Sequence, residues 1–87
     1  MKVQTKDGLE IEVNKDAFDD MEALDDLTGL VDGDPFAISR VCRRIFSKED
    51  KKKLYDFYRA EDGKVHVDKF IEVLTEIMLA SGEEEKN

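Results

Sequence analysis

The sequence of 87 residues contains few of the residue types that build disulfides, metal centres and membrane spans. Its one cysteine, Cys42, excludes a disulfide within the chain, and with a single histidine, His66, it cannot assemble the usual four-ligand zinc site. No apolar run approaches the roughly 20 residues that a membrane-spanning helix needs. Met1 is followed by a polar segment without the pattern of a signal peptide. We therefore expect a cytoplasmic protein with no metal, no cofactor and no membrane partner.

Proline and glycine are also scarce, with one and five residues, while hydrophobic and charged residues make up 40% and 41% of the chain. That balance is typical of a folded, helix-rich domain. The patterning predicts an α+β fold that is mostly α, with an N-terminal β-hairpin in residues 1–14 and four short amphipathic helices, packed as a small bundle, in residues 15–80. We expect a single domain over residues 1–82 and a flexible acidic tail over residues 83–87.

The net charge of -8 is unevenly distributed along the chain. Residues 1–39 carry 3 basic and 11 acidic side chains, residues 40–59 carry 8 and 3, and residues 60–87 carry 3 and 8. Such an acidic protein is a poor default binder of nucleic acid, because phosphate neutralisation requires a positive surface. The basic middle either packs against the acidic segments of its own chain or meets an acidic face of a second subunit, and the sequence leaves both open.

The first segment, Val3 to Val13, alternates apolar and polar residues around Asp7-Gly8, a dipeptide preferred in tight hairpin turns. This pattern predicts two antiparallel strands. Because an isolated hairpin is only marginally stable in water, its apolar side must lie on the helices or pair with another strand. The extended piece from Lys64 to Val67 is the candidate third strand.

A helix is predicted from about Lys15 to Leu30, with Asn14 as its cap. Its predicted apolar stripe consists of Phe18, Met21, Leu24, Leu27 and Val31, and its predicted acidic face consists of Asp19, Glu22 and Asp26. Eight carboxylates and no basic side chain lie between residues 16 and 34. Spread around a helix they do not converge, and no calcium-binding loop motif occurs, so we expect a solvated or partner-facing acidic surface and no metal site.

The densest apolar run, Asp34 to Phe46, predicts the central helix. Asp34 is a suitable N-cap, and Pro35 suits the first helical position, where its missing N–H costs nothing. At helical spacing one side of this segment is apolar, while the opposite side carries Arg40, Arg43 and Arg44. The segment therefore predicts a helix with one packed face and one basic face.

Two further helices complete the predicted bundle. Ser47 is the expected cap of the first, whose predicted buried stripe is Leu54, Phe57 and Tyr58. The acidic turn that follows, Glu61-Asp62-Gly63, resembles half of an EF-hand but lacks the carboxylates that calcium requires.

The last predicted helix begins between Val67 and Lys69 and runs to about Ala80, with Gly82 as its stop. Leu79 lies on its outer side. The predicted core face consists of Phe70, Ile71, Leu74, Ile77 and Met78.

The sequence shows no catalytic constellation. Cys42 lies on a predicted buried face, His66 lies in a turn with no orienting motif, and no pair of carboxylates is selected by its spacing. We therefore expect a non-enzymatic binding protein with no catalytic residues. The candidate partner-binding residues are Phe36, Arg40, Arg43, Arg44 and Leu79, and the candidate acidic face is Asp19, Glu22 and Asp26.

The order of these parts resembles the small tail assembly chaperones of long-tailed bacteriophages and prophages. The resemblance spans nearly all of the chain and rests on dispersed features: the acidic Phe18-Asp19-Asp20-Met21-Glu22 in the first helix, Asp34-Pro35 at the start of the second, Glu61-Asp62-Gly63-Lys64-Val65 in the turn, and Gly82 to Asn87 at the end. Where relatives often carry a tryptophan after the aspartate pair, this chain has Met21.

The resemblance implies a non-enzymatic, self-associating protein of the bacterial cytoplasm that is absent from the mature virion. Such a protein binds the tape-measure protein and keeps it soluble until the tail tube protein polymerises around it. It also implies a longer form made by a minus-one ribosomal frameshift, for which codons of Glu85-Lys86-Asn87 could supply a slippery heptamer. The first alternative is a helix-turn-helix regulator that binds nucleic acid through Ile38 to Phe46 and Lys48 to Arg59. The second is a calcium-free EF-hand-like adaptor, for which we expect no oligomer.

Overall fold

The computed structural model describes residues 1–85, with all their side chains except those of Phe18 and residues 82–85. Within this part of the chain, a hairpin of β1 (Lys2–Gln4) and β2 (Glu10–Glu12) is followed by a 3-10 helix (Lys15–Asp19) and four α-helices, α1 (Met21–Val31), α2 (Pro35–Ile45), α3 (Lys48–Tyr58) and α4 (Val67–Glu85). The predicted fold class, α+β and mostly α, is confirmed. None of the helices in residues 1–85 combines the length and apolar character that a membrane crossing needs.

The predicted hairpin is confirmed, with Val3 opposite Ile11 in an antiparallel pair. Its connection is longer than a two-residue turn, because the N–H of Thr5 donates to the carbonyl of Leu9 at 2.8 Å across the end of the loop. The sheet in the described residues has two strands, so the candidate third strand at Lys64 to Val67 does not form. The hairpin is supported by helices instead, with β1 against α4 and β2 against α3.

The single helix predicted from Lys15 to Leu30 is wrong, because the chain breaks at Asp20. This residue is extended, with φ -142° and ψ 120°, and it separates the 3-10 helix from α1. Its carboxylate accepts the N–H of Glu22 at 2.9 Å and so caps α1. A short acidic side chain that binds nearby backbone N–H groups favours a helix start over a helix interior. Asn14 caps the 3-10 helix, as predicted for the start of this segment.

The connection between α1 and α2 is a Schellman motif, in which the N–H of Asp34 donates to the carbonyl of Gly29 at 2.9 Å. Gly33 has a φ of +87°, a conformation that a side chain would strain. Asp34 then caps α2 by accepting the N–H of Phe36 at 3.0 Å, and Pro35 occupies the first position. The predicted start of the central helix is confirmed.

Helix α3 is capped by Ser47, as predicted, but its buried stripe is rotated. Leu54 is fully buried and Tyr58 is partly buried, whereas Phe57 is exposed, so its predicted place in the core is wrong. Tyr55 takes that place, since its ring packs against α4. The inward side of α3 is therefore the side that carries Leu54, Tyr55 and Tyr58.

Helix α4 begins at Val67, inside the predicted range, and extends to Glu85. It continues through Gly82, so the predicted end near Ala80 is wrong. A glycine inside a helix costs only about 1 kcal/mol, which neighbouring helical residues offset. The predicted tail thus begins as helix, and its last residues, Lys86 and Asn87, lie outside the described residues.

One hydrophobic core joins the hairpin to the helices. Its largest fully buried apolar side chains are Ile11, Leu54, Leu74, Ile77, Val13, Val41 and Val73. On the predicted core face of α4, Phe70 is also buried, and Ile71 and Met78 pack partly buried against the cluster. Helix α1 contributes little, because its buried residues are Ala23, Asp26 and Leu30.

Candidate protein-interaction surface

A carboxylate on α1 holds two of the arginines on α2. The side chain of Asp26 is buried, and its two oxygens accept from Nε of Arg40 at 2.8 Å and from Nε of Arg44 at 2.7 Å. Arg40 also donates to Asp34 at 3.3 Å, and Arg44 to Asp20 at 3.5 Å. Hydrogen bonds from Arg40 and then from Arg44 lower the pKa of the Asp26 carboxyl below its usual value. We call Asp26, Arg40 and Arg44 the arginine cluster.

The basic segment was expected either to pack against acidic residues of its own chain or to meet a second subunit. For Arg40 and Arg44 the structure shows the first arrangement. Both pair with carboxylates of their own chain. Asp26, predicted on an outward acidic face, instead turns inward toward α2, so that placement is wrong. Arg43 differs from its neighbours, because it is exposed and no ion pair joins it to any described side chain. The structure thus brings together two of the three predicted arginines and leaves the third facing solvent.

The arginine cluster also fixes how α1 is rotated about its axis. At about 100° per residue, Leu24 lies roughly 160° from Asp26, and Met21 and Val31 lie roughly 140° from it. Because Asp26 faces α2, these three side chains face away from it, and they are 42%, 69% and 84% exposed in the order Leu24, Met21, Val31. The stripe predicted as core is therefore wrong for these three residues, while Leu27 is partly buried and the side chain of Phe18 lies outside the described residues.

The close packing of α1 on α2 reinforces this rotation. A Cβ atom placed on Gly29 would lie 3.3 Å from the Cβ atom of Ala37, a tight contact. Ala37 is fully buried and cannot move aside without its backbone. The side of α1 that carries Gly29, Asp26 and Leu30 is therefore the side that meets α2.

Four exposed residues on the opposite side of α1 form what we call the α1 outer face: Met21, Leu24, Thr28 and Val31. Their spacing of three, four and three residues is that of a helix surface that packs on another helix. Exposed apolar side chains scattered singly are normal, but a row of them along one helix is a candidate interaction surface. The helical spacing was visible in the sequence, yet spacing alone does not say whether such a row faces its own core or a partner.

The remaining predicted site residues are exposed side chains. Phe36 lies near the start of α2 and Leu79 on α4, and both are exposed. Asp19 and Glu22 are exposed near the start of α1. Glu22 lies 4.0 Å from the guanidinium of Arg44 and so borders the arginine cluster. All four remain candidates for contact with a partner, but among the described side chains no hydrogen bond or ion pair joins Asp19, Phe36 or Leu79 to that cluster.

The surface also has an open groove of about 420 Å³ between α2, α3 and the start of α4. Its lining is mostly apolar and consists of Pro35, Ile38, Ser39, Tyr55, Arg59, Val65, Val67 and Phe70. The guanidinium of Arg59 at its rim donates to the carbonyl of Gly63 at 2.9 Å. Sequence reasoning missed this groove, because its lining comes from three helices and a loop that are distant in the chain.

The two residues considered for nucleophilic chemistry lie in different environments. Cys42 is buried in the core, and burial raises the pKa of its thiol to about 11. His66 is exposed in the turn before α4, with its Nε2 atom 2.8 Å from the carboxylate of Asp62. Among the side chains that the structure describes, no group of three potential metal ligands converges on a common point.

Comparison with known proteins adds no relative: no protein-family model, no curated protein and no solved structure matches this chain.

Proposed function

We propose that this protein is a non-enzymatic assembly chaperone that binds the tape-measure protein of a long-tailed phage through the α1 outer face. The binding role is supported by one observation above all, a helical row of apolar side chains that the fold leaves exposed. The phage assignment is supported by the resemblance of the order of parts to that of tail assembly chaperones.

An exposed apolar helix face suits a protein that keeps another chain soluble. Covering an apolar segment of the partner removes that segment from water and prevents it from aggregating with other copies. The row on α1 can do this at no cost to the core, because its apolar side chains Met21, Leu24 and Val31 are already exposed. The acidic residues around the row keep the complex soluble through net charge.

The experiment is coexpression with the tape-measure protein encoded near this gene. The soluble fraction of that protein is measured with the wild-type chaperone, with Leu24→Gln/Val31→Gln, and with Leu79→Gln. Leu79 is exposed on α4, so its change removes apolar surface away from the α1 outer face. We expect the double variant to lose the solubilising effect and the Leu79 variant to keep it.

Equal solubility with and without the wild-type chaperone would refute the proposed function. Loss with Leu79→Gln but not with the double variant would place the binding surface on α4 instead. A gene position away from tail tube and tape-measure genes would remove the support that the resemblance provides.

The nucleic-acid alternative has a structural argument against it. Two of the three arginines on α2 already pair with Asp26, which leaves them little charge to offer to phosphates. Lys48, Lys52 and Lys53 on α3 are exposed and are the groups that such binding would use. A gel shift whose affinity falls steeply as salt rises would favour the alternative, and no shift at low salt would exclude it.

A further inference from the structure

The α1 outer face has the geometry of one half of a coiled-coil contact. Met21 and Thr28 take the first position, and Leu24 and Val31 take the fourth position, of a seven-residue repeat. Side chains at these positions interlock with those of a facing helix. The 11 residues of α1 span roughly 16 Å, so a partner segment of about two repeats covers the face.

One flank of this face is acidic. Asp25 and Asp32 occupy the fifth position of the same repeat, beside the apolar row, and both are exposed. No basic residue occurs between residues 16 and 39, and the next two arginines that lie near α1, Arg40 and Arg44, are held by Asp26. A helix that docks on the face therefore meets negative charge along its edge.

A second copy of α1 provides no positive charge opposite Asp25 and Asp32. In an antiparallel pair, Asp25 of one helix would approach Asp32 of the other, and like charges at such positions oppose pairing. In a parallel pair neither aspartate would meet a basic residue, because α1 contains none. An occupant that neutralises Asp25 and Asp32 is therefore a helix that carries basic residues.

We infer that the α1 outer face binds a helix of a different protein, with an apolar row on one side and lysine or arginine at the positions that flank it. This inference rests on the proposed function, because it takes the same face as the binding surface and adds the chemistry of the partner. Apolar contact supplies the affinity, while the flanking charges set the selectivity.

The experiment uses fluorescently labelled helical peptides of two repeats that share leucines at the first and fourth positions. They differ at the flanking positions, which carry lysine, glutamine or glutamate. Fluorescence anisotropy with the full-length protein measures their affinities over a series of salt concentrations. We expect the lysine peptide to bind at least about fourfold more tightly than the glutamate peptide, since Asp25 and Asp32 can each form an exposed ion pair that changes affinity by a factor of about two. That difference should shrink as salt rises.

Two double variants test where the selectivity arises. Asp25→Lys/Asp32→Lys should reverse the preference in favour of the glutamate peptide. Glu61→Lys/Glu72→Lys makes the same change in net charge at exposed positions outside α1, and it should leave the preference for the lysine peptide in place.

Equal affinities for the lysine and glutamate peptides in the wild-type protein would overturn the inference, and so would the same reversal in both double variants. The proposed function fails separately. If the peptides show no charge preference but Leu24→Gln/Val31→Gln still abolishes solubilisation of the tape-measure protein, the function stands without this selectivity. If the peptides discriminate while that protein is unaffected, the selectivity stands and the assigned partner is wrong.

Discussion

The rotation of α1 can be tested by shortening two leucines of the same helix. Leu30 is 5% exposed and belongs to the core, whereas Leu24 is 42% exposed on the α1 outer face. Each is replaced by alanine, and the two sites are six residues apart. The change in intrinsic helix propensity is the same for both, so the difference between the variants reports burial.

The expected magnitudes are far apart. Replacing a buried leucine by alanine costs about 2–5 kcal/mol, from lost burial and the cavity left behind. We expect about 3 kcal/mol for Leu30→Ala, which in a domain of this size lowers Tm by about 12–24 °C. For Leu24→Ala we expect less than about 1 kcal/mol, as for a surface change.

The assay is thermal and urea unfolding followed by far-ultraviolet circular dichroism, at two protein concentrations. If Leu24→Ala costs as much as Leu30→Ala at both concentrations, α1 is rotated the other way and the α1 outer face does not exist. If the cost at Leu24 appears only at the higher concentration, a second copy of the chain covers the face, which contradicts a partner of a different kind.

Three further predictions follow from buried polar groups and the free thiol. Asp26→Asn should lower the free energy of unfolding at neutral pH. The pKa of Asp26 is lower in the folded state, so its ionised carboxylate stabilises the fold above the usual carboxyl pKa. This stabilisation is lost as the pH falls through the folded-state pKa. Urea unfolding should therefore show that the difference in unfolding free energy between wild type and variant becomes smaller in acid. Tyr58→Phe removes a hydrogen bond of 2.8 Å from the phenol to Thr5 and should cost about 0.5–1.5 kcal/mol in the same assay, whereas Tyr55→Phe should cost less. Cys42, with a thiol pKa of about 11, should react slowly with iodoacetamide in the native protein and quickly in urea, as followed by mass spectrometry; fast native alkylation would contradict its burial.

The parts of the fold that were predictable are those with local causes. Alternation around Asp7-Gly8 marked the hairpin, and Asp34 with Pro35 marked the start of α2 to the residue. Ser47 marked the start of α3 in the same way. Each signal depends on hydrogen bonds and dihedral angles within a few residues, which the sequence states directly.

The errors arise where a local pattern admits two outcomes. Asp20 is compatible with a helix interior or with a cap, and the structure uses it as a cap. Phe57 lies within one turn of Leu54 and Tyr58, so spacing could not tell which side of α3 faces inward. Gly82 favours a helix end, yet α4 continues through it. For α3, the packing of Leu54 and Tyr55 against other elements made the choice.

By itself the sequence determined the hairpin, the helices α2, α3 and α4, most of their starts, the acidic balance and the amphipathic character of the segment that forms α1. Only the tertiary structure decided which side of α1 is buried. The reason is physical: a helix with apolar residues on one side and Asp26 on another can turn either toward the core, and the two arginines that α2 presents at 2.7 and 2.8 Å favour Asp26. Pairing a buried carboxylate with two guanidinium groups leaves the row of Met21, Leu24, Thr28 and Val31 outside, where a partner can cover it.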